Sequence, residues 1–181
     1  MNEELDVLKS VSERLESAHI PYMITGSVAG NFYAMPRMTR DIDIVIEIMK
    51  KDTDRILALF NDDFYIDAEM IVQAIHDHSM FNIIHNQSVI KIDFIIRKDL
   101  PYRKLEFARR RPMEVGGTQL WVVSPEDLVL SKLHWAKDSQ SEMQLRDVQN
   151  ILSVVKNLDT EYLNEWIQSL NLEEIYSKVQ S

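Results

Sequence analysis

Asp41 and Asp43 stand two residues apart in the run Asp41-Ile42-Asp43-Ile44-Val45-Ile46, where isoleucines alternate with the other side chains. In a strand such alternation sends successive side chains to opposite faces. Both carboxylates therefore share one face, about 7 Å apart at Cα from twice the strand rise. Carboxylates held this close repel and raise one another's pKa unless positive charge lies nearby. Mg²⁺ or Mn²⁺, which prefer oxygen ligands, would supply it. The alternative is a solvent-facing strand edge carrying two charges.

A third carboxylate stands in a similar setting. Asp93 interrupts Val89-Ile90-Lys91-Ile92-Asp93-Phe94-Ile95-Ile96, an otherwise largely apolar strand. A buried carboxylate is costly unless paired or metal-bound. It is a natural third metal ligand, and three converging carboxylates would suit two ions roughly 3.5–4 Å apart. A salt bridge to Lys91 or to an arginine is the competing reading. Gly26-Ser27 opens a predicted helix. Glycine lets a phosphate approach the backbone, and a helix N-terminus offers free N–H groups to it. A plain strand-to-helix turn with Ser27 as N-cap satisfies the same residues.

The elements that must position these groups follow from periodicity. Leu5, Leu8, Val11, Leu15 and Ala18 mark a helix over 3–18. A short strand at 22–25 leads through Gly26-Ser27 into a helix over 28–35, which Pro36 stops. After the strand at 41–47, a helix is predicted at 52–60, a short strand at 64–66 and a helix at 67–76. A hairpin of 80–85 with 89–96 comes next. A basic helix over 103–110, a Gly116-Gly117 turn and a strand at 120–123 lead to Ser124-Pro125-Glu126-Asp127. There Ser124 is the N-cap, Pro125 sits in the first turn, and Asp127 can complete a capping box. Helices are then predicted at 125–137, 142–156, 160–169 and 172–179. The fold class is α+β: a mixed sheet flanked by helices, with further helices at the C-terminal end. Residues 1–123 form the core, and 124–181 a helical region packed on it.

Bulk composition narrows the function. The 181 residues include no cysteine, which excludes disulfides and thiolate metal sites and points to a reducing, cytoplasmic setting. No basic-then-apolar secretory leader and no long apolar span are present, so a soluble protein is expected. The net charge of −9 disfavours bulk nucleic-acid binding. Within 97–111, however, Arg97, Lys98, Arg103, Lys104, Arg109, Arg110 and Arg111 face only Asp99 and Glu106. That local excess is the segment an RNA would meet. His76-Asp77-His78 reads as polar surface rather than a metal site. Trp121, Trp135 and Trp166 read as core, although Trp135 near Lys132 can also stack a base.

Gly26-Ser27, a gap of 13 residues, Asp41-Ile42-Asp43 and the distant Asp93 resemble, in order, the pattern of the DNA polymerase β-type nucleotidyltransferases. Thr25 stands where that superfamily usually has an apolar residue. Arg37-Met38-Thr39-Arg40-Asp41-Ile42-Asp43 is similar to the Arg-x-Thr-x-Asp-x-Asp string of the bacterial branch related to abortive-infection toxin nucleotidyltransferases. The segment from Ser124 to Lys132 and the pair Arg146-Asp147 resemble that branch too. The resemblance implies transfer of NMP from an NTP to a hydroxyl or phosphate acceptor. It implies that Asp41 and Asp43 bind metal, Asp93 acts on the attacking hydroxyl, and Gly26 and Ser27 hold phosphates. Lys132 would contact nucleotide, unless it is a solvated helix lysine. Arg37 and Arg40 would neutralise phosphate or pair with acids, and Thr39 would order the turn. Asp147 can be an ordinary surface partner of Arg146. An RNA acceptor met through 97–111 and a cognate antitoxin suit this branch. A small antibiotic acceptor and a non-catalytic nucleotide-binding module are the rivals.

Overall fold

The structure, a computed structural model, describes residues 3–39 and 41–180. The alternation at 41–46 becomes strand β2 (Asp41–Ile46), with Ile42, Ile44 and Ile46 buried and Asp41 and Asp43 on the other face. β2 lies near the centre of a sheet whose other strands are β1 (Tyr22–Thr25), β3 (Phe64–Tyr65), β4 (Met80–His85), β5 (Lys91–Ile96), β6 (Arg111–Val115) and β7 (Thr118–Val122). The order is β3-β4-β5-β2-β1-β7-β6. β2 runs antiparallel to β1 and parallel to β5, and β1 runs parallel to β7. The sheet is therefore mixed, as the α+β pattern implies.

The N-terminal stripe of apolar residues forms α1 (Glu3–Ser17), which buries Val7, Leu8, Val11 and Leu15. α2 (Gly26–Tyr33) starts two residues earlier than periodicity places it, directly on the glycine. α3 (Thr53–Phe60), α4 (Ala68–Asp77) and α5 (Pro101–Ala108) follow. α6 (Pro125–Ser139), α7 (Glu142–Val154), α8 (Thr160–Ser169) and α9 (Glu173–Gln180) complete the described chain. α6 and α7 lie against α2. Leu128, Leu133 and Val148 from these helices share one buried cluster with Ile24, Ile44 and Phe94 of the sheet. Among the described residues no helix is long and apolar enough to cross a membrane.

Two local features depart from expectation. Strand β6 contains Pro112 and mostly polar, exposed side chains, so neither alternation nor propensity marks it. It is an edge strand, where a missing N–H is tolerated. Gly116 and Gly117, both at positive φ, fold it back on β7. Ser124 does cap α6, accepting the Asp127 backbone N–H at 3.1 Å. The Asp127 carboxylate, however, does not close a capping box. It is fully buried and accepts from the hydroxyls of Ser124 (2.6 Å), Tyr162 (2.6 Å) and Tyr102 (3.3 Å) and from Arg109 Nε (3.1 Å). It thereby ties α5, α6 and α8 together.

The same network absorbs the basic segment. Buried Glu126 pairs with Arg111 at 3.1 Å and Arg109 at 3.7 Å, and buried Glu106 with Arg103 at 2.8 Å. Arg97 pairs with Glu47 at 2.9 Å, Lys104 pairs with Asp99, and Arg110 lies over the rings of Phe107 and Trp121. Residues 97–111 are thus not the free basic surface that composition predicts. Arg103, Arg109 and Arg111 are engaged by buried acids of α5 and α6. Removing one partner of such a buried network is strongly destabilising, by about 3 kcal/mol or more. Asp127→Ala is expected to lose that much stability in urea denaturation, and Arg109→Ala to lose less because Arg109 is partly exposed.

Candidate active site

β1 ends and α2 begins at Thr25-Gly26, and the antiparallel register sets Thr25 opposite Asp43. A glycine is required here on two counts. Its φ is +64°, a conformation costly for residues with a Cβ. A Cβ built on it would also lie 2.0 Å from Asp43 Oδ2. The turn therefore delivers the N-terminus of α2, with its unpaired N–H groups, directly against the Asp43 carboxylate.

The parallel register of β2 and β5 sets Asp43 opposite Asp93 and Asp41 opposite Lys91. Three carboxylates and one ammonium thus occupy adjacent positions on neighbouring strands. Lys91 Nζ lies 3.0 Å from Asp93 Oδ2 and 3.5 Å from Asp41 Oδ2. The salt bridge weighed as the alternative role of Asp93 is therefore formed. Asp93 is 5% exposed, and its other oxygen, Oδ1, is buried with no hydrogen-bond partner. Burial, then the charges of Asp93 and Asp41, push Asp43 up to about 6, against the opposing fields of Lys132 and Lys91. Among the described residues no three His, Cys, Asp or Glu side chains gather as a metal-binding set. The expected convergence of three carboxylates on one point is interrupted by the Lys91 ammonium between two of them. The Asp93 oxygen is left without a partner, and burial together with the neighbouring carboxylates disfavours the charged form of Asp43, so the face lacks full compensation. A divalent cation fits that deficit.

Positive charge collects one step away. Arg37 clamps Asp147 with two bonds of 3.0 Å and donates to Ser27 Oγ at 2.5 Å. Lys132 donates to the same Asp147 at 2.7 Å and to Gln144 Oε1 at 3.0 Å. Asn31, one turn along α2 from Ser27, accepts the Arg37 backbone N–H and donates to its carbonyl. Ser27, Gly30, Asn31, Arg37, Asp147 and Asn150 line a pocket between α2 and α7. Thr39 Oγ donates to the Asp41 carbonyl at 3.2 Å, ordering the approach to β2. Arg40 lies outside the described residues.

Lys132 is 4% exposed, so the solvated-lysine reading does not hold. Burial lowers its pKa, and Asp147 opposes that shift. Asp147, read from sequence as a surface partner of Arg146, instead joins Lys132 to Arg37. The resemblance of Arg146-Asp147 to the toxin-related branch was its sequence signal, whereas the fifteen-residue offset from Lys132 across a helix hairpin is one that periodicity does not decode. Trp135 is 64% exposed and not core. His76 and Asp77 pair with each other on an exposed face, in keeping with a polar surface.

Burial alone would raise the Asp147 pKa, but hydrogen bonds from Arg37 and Lys132 outweigh it and the net shift is downward. A depressed carboxylate contributes stability above its unfolded pKa of about 3.9 and loses it as pH falls through the folded value. The stability advantage of wild type over Asp147→Asn, followed by urea unfolding, is expected to be constant above about pH 5 and to shrink on acidification below about pH 4. Gly26→Ala is expected to cost more than about 1 kcal/mol from the backbone term alone. Its urea midpoint should rise when Asp43→Ala is added, because that change removes the clashing carboxylate.

Several solved structures share this architecture at identities that establish fold alone. An antigenic nucleotidyltransferase-like protein from Paracoccidioides brasiliensis is 18% identical, with a TM-score of 0.64 over 98% of this chain and 92% of its own. A putative nucleotidyltransferase from Thermotoga maritima is 19% identical, with a TM-score of 0.55 over 78% and 89%. The lincosamide antibiotic adenylyltransferase LnuA in its lincomycin-bound form is 13% identical, with a TM-score of 0.57 over 86% and 98%. No curated protein sequence matches the chain. The model of the family "Nucleotidyl transferase AbiEii toxin, Type IV TA system" matches residues 27–172, which include the Ser27 turn, all three strand carboxylates, Lys132 and Asp147, and the chain belongs to that nucleotidyltransferase family.

Proposed function

We propose that this nucleotidyltransferase moves a nucleoside monophosphate from an NTP to a hydroxyl or phosphate acceptor, with Asp41, Asp43 and Asp93 holding Mg²⁺ or Mn²⁺. The observation that carries the reading is the register of Asp43 with Asp93 beside the α2 N-terminus. It leaves a buried carboxylate oxygen without a partner on the face that Asp43 shares. A bound divalent ion would neutralise the triphosphate and polarise the reacting oxygens.

The chain's own groups support the rest. Ser27 and the first N–H groups of α2 hold phosphate oxygens. Arg37 and Lys132 supply the positive charge that phosphate needs, and Asp147, which lines the pocket with Arg37, holds both cations. Fixed donors of this kind stabilise developing charge without reorganising during the reaction. The acceptor oxygen attacks the α-phosphorus, the bond to pyrophosphate breaks, and a hydroxyl acceptor's proton passes to Asp93, or to water where Asp93 acts through the ion it would hold. Asp41→Ala or Asp43→Ala is expected to reduce metal-dependent pyrophosphate release by at least about 100-fold with the circular dichroism spectrum unchanged. Turnover surviving both changes excludes the assignment.

The family supports a toxin role and a cognate antitoxin as partner. The acceptor is the finer question. An RNA acceptor suits the toxin-like branch, but Arg97, Arg103, Arg109 and Arg111 of 97–111 are paired with acids within the fold, which leaves it little free basic surface. The same observation, with the net charge of −9, favours a small cationic acceptor as the second reading. Incubation with each labelled NTP, Mg²⁺ and total RNA separates them: labelled RNA supports the first, and label appearing only on an added small acceptor supports the second.

A further inference from the structure

Lys91 has no role in the reading above, yet its ammonium sits within ion-pair distance of two of the three carboxylates assigned to metal. Its position is fixed by the sheet. Parallel pairing of β2 with β5 places it level with Asp41 and one pleat repeat from Asp93, on the same face. Its distances of 3.0 Å to Asp93 Oδ2 and 3.5 Å to Asp41 Oδ2 make it a bridge between them. Asp41 and Asp93 therefore each have one oxygen engaged by a cation that the chain itself supplies.

Charge decides what remains to be bound. Three ionised carboxylates less one ammonium leave two negative charges, which one divalent ion neutralises and two would overcompensate. The unpartnered, buried Oδ1 of Asp93 shows that Lys91 alone does not satisfy the face. Lys91 reaches Asp41 and Asp93 but makes no ion pair with Asp43 within 4.0 Å, so the third carboxylate is left outside the bridge.

We propose that Lys91 is a resident cation occupying one of the two cation positions of this face, so that the protein itself binds a single divalent ion. The proposal rests on the assignment of Asp41, Asp43 and Asp93 as metal-binding carboxylates. It concerns how many ions they take. It also makes Lys91 a positioning residue: the ammonium holds the Asp41 and Asp93 side chains apart and oriented before any ion arrives. Replacing it by a neutral side chain leaves three negative charges close together and opens a second cation position.

Titration of the full chain with Mn²⁺ alone, reading free Mn²⁺ by electron paramagnetic resonance, tests this. Wild type is expected to hold one ion, and Lys91→Arg likewise. Lys91→Met is expected to hold a second ion, or to bind the first about tenfold tighter or more, since a unit of opposing charge a few ångströms away is removed. Its melting temperature should also rise more on Mn²⁺ addition than that of wild type. Lys91→Gln, which keeps a polar contact to Asp93, carries the same expectation where Lys91→Met does not fold. Two ions on wild type, or wild-type binding by the neutral variants, overturns the proposal while the metal assignment stands. Absence of Mn²⁺ binding in wild type and variants alike overturns the metal assignment and this proposal with it.

Discussion

Like charges crowd together on one face of this sheet, and much else in the molecule answers to that constraint. The register of β2 with β5 makes Asp43 and Asp93 neighbours, and the two-residue period adds Asp41. Left alone, such a face would protonate or splay. Here the response is built from the surroundings: Lys91 between two of the carboxylates, and Lys132 and the α2 N-terminus beside the third. The compensation is partial. A domain free of binding constraints would gain stability from completing it, and the incompleteness is the deficit on which the proposed metal site rests.

Asp147 performs the complementary task for positive charge. Arg37 and Lys132 would repel one another without it, and Lys132 is too buried to be solvated. One carboxylate holding both keeps two cations near Ser27. Because Arg37 precedes β2 and Asp147 belongs to α7, this contact also binds the helices after residue 124 to the strand that carries Asp41 and Asp43. The charged groups at the site are thus held by elements far apart in sequence.

A second polar centre shows the same chemistry used only for architecture. Asp127 and Glu126, both fully buried, consume Arg109 and Arg111, while Glu106 consumes Arg103. Breaking these contacts would strand charge in the interior, which is why they specify how α5, α6 and α8 meet. A cluster of arginines in sequence says nothing about whether acids will be folded against it. The structure therefore lends the RNA reading of 97–111 no support. The acids that claimed those side chains lie at 47, 106, 126 and 127, and two of them begin a helix whose N-terminal acids look like ordinary capping residues.

The family and the α+β class were legible in the sequence because their signals are local. A two-residue alternation places Asp41 and Asp43 on one face, a glycine before a helix marks the turn into α2, and Ser124-Pro125 starts α6. Each depends on neighbours within a few positions, so periodicity and capping chemistry suffice. What lay beyond the sequence was long-range pairing. β6 lacked apolar alternation because neither of its faces is fully buried against the core. Trp135 proved exposed and Lys132 buried because helix packing, and not residue type, decides which face of α6 is covered. Above all, the sequence placed Asp93 on a strand without its register. Only the tertiary structure decided that it stands opposite Asp43 with Lys91 beside it, since one residue of slip would have turned it to the other face.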